Sequence, residues 1–351
     1  MAGALCTEQR DGQEEGNQVM RILMVGAGAI GGIIGGRLAR AGRDVTFADV
    51  DAEQVKAIRE KGLNVDVPDG TFRAFPPAFV PAELPGRFDL SFIAVRVFDL
   101  TSALAVVEPR LNPNATLVSL QNGLTLPLLE KIAGPDHAIG TMIRMRSRRT
   151  APAMVRTAQR GHLYVGHLHG ATTPQLQALH LLLNEVIPTE ITGNIFGGLW
   201  SKLTYTCLGM ITSLADASVR AILQDETSGR ICVEFLGEVV AVGNALGARF
   251  VPLVEYDPRD FDPRLPYEAR LSALHAVARQ AKSEAQRGGV ERFKKGVKTE
   301  IDFTVGHVVE EGKRVGVTTP ICTAVVQMIH RIEAGQQPLQ MRNYAALAAA
   351  V

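Results

Sequence analysis

The sequence predicts an α/β protein in which a doubly wound, mostly parallel sheet precedes a mostly helical second domain. Three observations predict it. Arg21–Val25 is a short apolar run that ends in glycine and leads through small residues into a helical tail at Leu38-Ala39, the pattern of strand, tight turn and helix. Strand-like and helix-like segments then alternate to about residue 137. From Asn194 onward nearly every segment carries helical periodicity.

Taken in order, Gly42 closes the first helix and residues 44–49 form a second strand, completing a βαβ unit. Strands are expected at 90–95 and 116–120, with helices at 51–61, 98–107 and 126–132. Residues 138–143, 153–157 and 162–165 read as strands without intervening helices, which predicts an antiparallel extension of the sheet. A helix at 173–184 follows, then the apolar helices 195–215, 229–246 and 320–334. Residues 251–266, with four prolines and many charges, read as an irregular loop. The expected organisation is a disordered extension at 1–19, a dinucleotide-binding Rossmann-type domain at 20–192 and a helical substrate and catalytic domain at 193–351.

Composition removes several function classes. The 351 residues are 46% hydrophobic, enough for two cores. Lys plus Arg number 37 and Asp plus Glu 36, a formal charge of +1, so no field favours nucleic acid. The cysteines Cys6, Cys207, Cys232 and Cys322 have no paired spacing, which argues against a disulfide framework or zinc site and fits a reducing cytoplasm. Residues 1–19 lack the charged-then-apolar order of a signal peptide. The apolar stretch 191–215 carries Lys202 and several Ser and Thr residues, which argues against a membrane span.

Gly26-Ala27-Gly28-Ala29-Ile30-Gly31 follows a strand and opens a helix, the context that gives a GxGxxG its meaning. Gly26 allows the sharp turn, Gly28 lets backbone approach a pyrophosphate, and Gly31 permits close helix–strand packing, while Ala29 and Ile30 supply N–H groups at the helix start. Gly32, Gly35 and Gly36 imply a crowded helix face. Asp49, 18 residues beyond Gly31, ends the second strand, where a carboxylate binds ribose hydroxyls and favours NADH; the alternative is a helix cap. Arg96 ends the 90–95 strand and pulls toward NADPH, since a guanidinium there can hold a 2′-phosphate.

Lys202 is the only formally charged residue among 191–215. A partly desolvated ammonium can stabilise the alkoxide formed by hydride addition to a carbonyl and then protonate it; the alternative is a lysine snorkelling to water. Asn122, within Gln121-Asn122-Gly123, sits at the carboxyl edge of the sheet, where it can touch the cofactor ribose or substrate or simply form a turn. Glu300, in Thr299-Glu300-Ile301-Asp302, can accept a substrate hydroxyl, while the Thr-x-x-Asp spacing also fits a capping box. His162, His167 and His169 crowd one segment without the further ligands a metal would need.

These elements together resemble the ketopantoate reductase (2-dehydropantoate 2-reductase) family over residues 21–334. The resemblance rests on the glycine turn, Val95-Arg96, Gln121-Asn122-Gly123, Leu199-Trp200-Ser201-Lys202-Leu203 and Thr299-Glu300-Ile301-Asp302. It implies NAD(P)H-dependent reduction of a 2-oxo acid, ketopantoate to pantoate, in a cleft between the two domains, and a homodimer. It also implies Lys202 as general acid, Asn122 near cofactor and substrate, and Glu300 on the substrate hydroxyl. Members typically carry asparagine one turn beyond the lysine and again four residues later; here Thr206 and Met210 stand there, Thr206 as a substrate-binding position. Val50 stands where many members use arginine for NADPH. A Ser-rich segment before the late glutamate is replaced by Gly288-Gly289-Val290-Glu291-Arg292-Phe293-Lys294-Lys295, and an insertion spans about 251–287.

Overall fold

The computed structural model describes residues 20–254, 256–281 and 288–349. The expected extension at 1–19 and part of the expected insertion lie outside the described residues. The strands are β1 (Arg21–Val25), β2 (Asp44–Ala48), β3 (Leu63–Val67), β4 (Gly70–Ala74), β5 (Ala78–Phe79), β6 (Phe88–Ile93), β7 (Leu111–Ser119), β8 (Ala138–Ile143), β9 (Ser147–Ala151), β10 (Met154–Thr157), β11 (Leu163–Gly166) and β12 (Thr189–Ile191). The large sheet runs β12-β11-β8-β7-β6-β1-β2-β5. It is parallel except where β11 meets β8 antiparallel, and β12 then pairs parallel with β11.

Alternation along each strand divides the large sheet's two cores. Ile22 and Met24 of β1 face α1 (Ala29–Arg40) and α5 (Pro174–Asn184), meeting Ile33, Ile34, Leu176 and Leu183. Leu23 and Val25 face the other way, toward α3 (Leu100–Val107) and α4 (Leu126–Ala133). α2 (Ala52–Lys61) starts at Asp51, whose carboxylate accepts from Glu53 and Gln54 N–H.

One expectation is corrected. Residues 154–157 do not extend the large sheet; β10 joins a second sheet, β4-β3-β10-β9, in which the hairpin β3–β4 was not expected at all. This small sheet covers the outer face of α1 and explains its glycines. A Cβ on Gly32 would lie 2.8 Å from Val155 and one on Gly36 2.8 Å from Val65, while one on Gly35 would strike the Phe47 ring at 2.5 Å. α1 is squeezed between two sheets.

After β12 the described chain is helical: α6 (Ile195–Ile211), α7 (Val219–Gln224), α8 (Glu226–Ala245), α9 (Tyr267–Gln280), α10 (Gly288–Lys294), α11 (Val305–Val315), α12 (Pro320–Glu333) and α13 (Arg342–Ala348). α8 is the buried centre, and its Glu238 accepts the Ile321 and Cys322 N–H groups at the start of α12. The described residues of 251–266 are irregular apart from a 3₁₀ turn at Pro258–Phe261, as their prolines predict. No described helix is long and apolar enough to cross a membrane.

Gly35→Val should overpack α1 against Phe47, which is itself fully buried, and cost about 1–3 kcal/mol. Urea denaturation reads this as a lower midpoint with unchanged slope; an unchanged midpoint would remove the crowding account.

Candidate active site

β1 lies between β2 and β6, so the chain leaves it in opposite directions and opens a crevice at the carboxyl edge of the sheet. Gly26 makes the turn with φ +98°, and a Cβ there would lie 2.8 Å from the Ala94 carbonyl oxygen. A Cβ on Gly31 would lie 2.0 Å from the Gly26 oxygen, so Gly31 is required by packing. At Gly28 the situation is reversed: a Cβ would meet nothing within 4 Å. Ala29 and Ile30 begin α1 behind it, partly exposed, and no side chain caps that end. Helix N–H groups facing open space suit the oxygens of a dinucleotide pyrophosphate.

Asp49 lies at the end of β2, but its carboxylate is not a cap of α2. One oxygen accepts the Ala27 N–H at 2.7 Å and the other the Asp51 N–H at 2.9 Å, so it clamps the glycine turn. Gln54 completes the clamp: fully buried, it donates to the Ala27 oxygen at 2.6 Å and accepts from Ala153 N–H at 2.8 Å. Sequence reading missed Gln54, because its partner Ala153, in the turn between β9 and β10, is 99 residues away. It also missed Arg149 of β9, which pairs with Asp51 at 2.9 Å and brings a cation beside the β2 end.

Arg96 is exposed at the end of β6, pairs with Asp99 at 3.2 Å and lies over the Phe98 ring. At the end of β7, Gln121 donates to the Val95 oxygen at 3.0 Å, tying the two strand ends, and its own oxygen is buried without a partner among the described residues. Asn122 is exposed, its amide without a partner among the described residues. The Gly123 turn runs beside the Phe303 backbone, and Phe303 meets Phe98 edge-to-face at 5.0 Å. The structure thus brings the Glu300 segment against the ends of β6 and β7.

Lys202 projects from the middle of α6 and donates from Nζ to the Ile143 carbonyl at 3.0 Å, at the carboxyl end of β8. Burial among apolar groups lowers its pKa from the ordinary lysine value to about 8. Tyr205, Thr206, Gly209 and Met210 share the partly exposed face of α6 with it. The Thr206 hydroxyl donates to the Lys202 carbonyl at 3.0 Å. Glu300 is partly exposed, and its carboxylate has no partner among the described residues. The Thr299 hydroxyl bonds Glu333 at 2.7 Å and Asp302 pairs with His330 at 2.9 Å, so the Thr-x-x-Asp pair forms no capping box. His167 bonds Ala138 and Thr173, His162 pairs with Glu190, and His169 with Asp136; the described residues contain no metal-ligand cluster.

Residues 22–170 match the profile of ketopantoate reductase PanE/ApbA and residues 194–333 that of its C-terminal part. An uncharacterized oxidoreductase, YkpB, of Bacillus subtilis is 25% identical over 90% of this chain and 99% of its own length. A 2-dehydropantoate 2-reductase of Mesorhizobium japonicum is 25% identical over 89% and 98%. Among solved structures, D-mandelate dehydrogenase with NADH and anilino(oxo)acetate superposes with a TM-score of 0.75 at 19% identity, over 90% of this chain and 99% of that one.

Because Gly28 faces open space at an ordinary φ, Gly28→Ala should leave thermal stability nearly unchanged while weakening dinucleotide binding about tenfold, or about 1.4 kcal/mol. Tryptophan or nicotinamide fluorescence titration checks this; full affinity would argue that no phosphate approaches this backbone.

Proposed function

This chain belongs to the ketopantoate reductase family, and on that premise we propose that it uses NAD(P)H to reduce a 2-oxo acid to the 2-hydroxy acid, with ketopantoate to pantoate as the leading reaction. The observation that carries the reading is Lys202: a lone cation in an apolar helix, pKa about 8, held on a strand-end carbonyl at the sheet's carboxyl edge.

The open glycine turn and the first N–H groups of α1 hold the pyrophosphate, with Asp49 at the adenosine end and Arg96 and Asn122 along the crevice. Bound nicotinamide supplies the hydride to the substrate's carbonyl carbon. Lys202 stabilises the negative charge growing on the carbonyl oxygen and transfers a proton to it from Nζ, while the Ile143 carbonyl keeps the ammonium aimed. Asn122 orients the substrate, Glu300 accepts its hydroxyl, and Thr206 lines the site one turn beyond the lysine. Asp49 favours NADH and Arg96 NADPH, so both cofactors belong in the first assay.

A second reading keeps the chemistry and changes the acid. Thr206 and Met210 give the site an apolar cast on α6, and D-mandelate dehydrogenase shares the fold. Oxidation of NADH and NADPH over ketopantoate and a panel of 2-oxo acids tests both readings. Faster turnover of another acid favours the second; no turnover with either cofactor would remove the enzyme assignment in favour of a dinucleotide-binding sensor.

Lys202→Ala should lower kcat about 10²–10⁴-fold with little change in cofactor affinity; near wild-type turnover would sink the role. The pH dependence has a definite sign. Reduction requires the protonated amine, so kcat/KM should be level below about 8 and fall as pH rises through that value, while kcat/KM of the reverse oxidation should rise. A reduction rate still level well above that pH would count against a general acid of this pKa.

A further inference from the structure

A cavity of about 170 Å³ at the start of the helix that carries Lys202 is lined by Met142, Arg144, Tyr164, Ile195, Gly198 and Leu253 among others. Asn194, Ile195 and Gly198 lie on the same face of α6 as Lys202, Tyr205, Thr206 and Gly209, one to two turns nearer its start. Cavity and lysine therefore share one continuous face. On the strand side the link is covalent: Met142 and Arg144 flank Ile143, whose carbonyl Lys202 holds. Alternation points their side chains to the same side, toward α6, where Gly198 lets the Met142 sulfur approach.

The wall of the cavity is fixed. Asn194 donates to the Arg249 oxygen at 2.7 Å and the Val251 N–H donates to Ser201 at 2.9 Å, pinning the loop that carries Leu253 onto α6. Arg144 is anchored through its backbone, exchanging hydrogen bonds with His162, and its guanidinium has no partner among the described residues. On the α6 face the Thr206 hydroxyl is committed to the Lys202 carbonyl, and Met210 carries no donor.

We infer that this cavity is the anion subsite of the reductase, in which Arg144 pairs with the carboxylate of the 2-oxo acid while Lys202 addresses the adjacent carbonyl. The inference rests on the proposed 2-oxo acid reduction. In such a substrate the carboxylate is bonded directly to the reacting carbon, so its partner must stand next to the proton donor, and Arg144 is one peptide bond from the group that holds Lys202. Apolar walls of Met142, Ile195 and Leu253 reduce competition from water, and a guanidinium grips a carboxylate through two parallel hydrogen bonds. The substrate's other substituent is then directed along the cleft toward Glu300.

The test compares steady-state reduction of one 2-oxo acid and its methyl ester by the wild-type enzyme, Arg144→Gln and Arg144→Lys, with cofactor affinity as the check on folding. Wild type should prefer the acid by about a hundredfold in kcat/KM. Arg144→Gln should raise KM for the acid about tenfold or more, change kcat less than about threefold and leave the ester's kinetics unchanged, and Arg144→Lys should recover part of the loss. A KM for the acid within twofold of wild type in Arg144→Gln overturns the inference and leaves the reductase reading intact. Equal use of acid and ester by wild type overturns it even if the variants do not fold. A wild type that reduces no 2-oxo acid removes the underlying reading and this subsite with it.

Discussion

The site depends on one helix being buried by two cores at once. The first turns of α6 set Ile195 and Leu199 into the core under the large sheet, and the following turns set Trp200, Leu203, Cys207, Leu208 and Ile211 into the helical core. From Leu199 onward, at about 100° per residue, these positions cover about half of the circumference, and the other face, which Ile195 begins, carries Lys202, Tyr205, Thr206 and Gly209. Gly197 is needed because a Cβ there would lie 2.0 Å from the Arg249 oxygen. The backbone at Lys202 therefore cannot move against the strand ends without unseating a packed core, which suits the proton transfer proposed for it.

The glycine turn is fixed by the same kind of over-determination. Asp49 and Gln54 hold the N–H and carbonyl of Ala27, Gly26 fits only because it lacks a Cβ beside Ala94, and the small sheet presses α1 from outside. Within this rigid surround Gly28 alone faces open space. The three motif glycines thus divide into two that serve the turn and its packing and one that leaves room for a ligand, the division the motif predicts.

Much of this was legible in the sequence, and the reason is locality. The first βαβ unit, the helix at 173–184 and the helical second half follow from short-range periodicity and turn residues. The small sheet was missed: Leu63–Val67 alternates apolar and polar residues and turns through Pro68-Asp69 into β4, but this local pattern does not show that its parallel partner is Met154–Thr157, ninety residues on. Lys202 stood out because charge is rare in an apolar helix. Arg144 did not, because it lies among Arg146, Arg148 and Arg149 and only tertiary structure sets it beside Lys202's carbonyl partner. The Thr299-to-Asp302 spacing misled for the same reason, both side chains being taken by distant partners, Glu333 and His330.

The cations beside the strand end suit different tasks. A lysine can be detuned by burial, and desolvation is the cause of the fall in the Lys202 pKa to about 8, against which the Ile143 carbonyl favours the charged form. The result is an amine still protonated at neutral pH, which in the proposed reaction would release its proton to an alkoxide. An arginine in that position would hold charge but could not give the proton up, because guanidinium does not deprotonate in proteins. Conversely, the permanent charge and planar fork of Arg144 suit a group that stays anionic throughout the reaction. The titratable cation sits on a packed helix and the permanent one at an exposed strand end, environments that suit the proton transfer and carboxylate binding proposed for them.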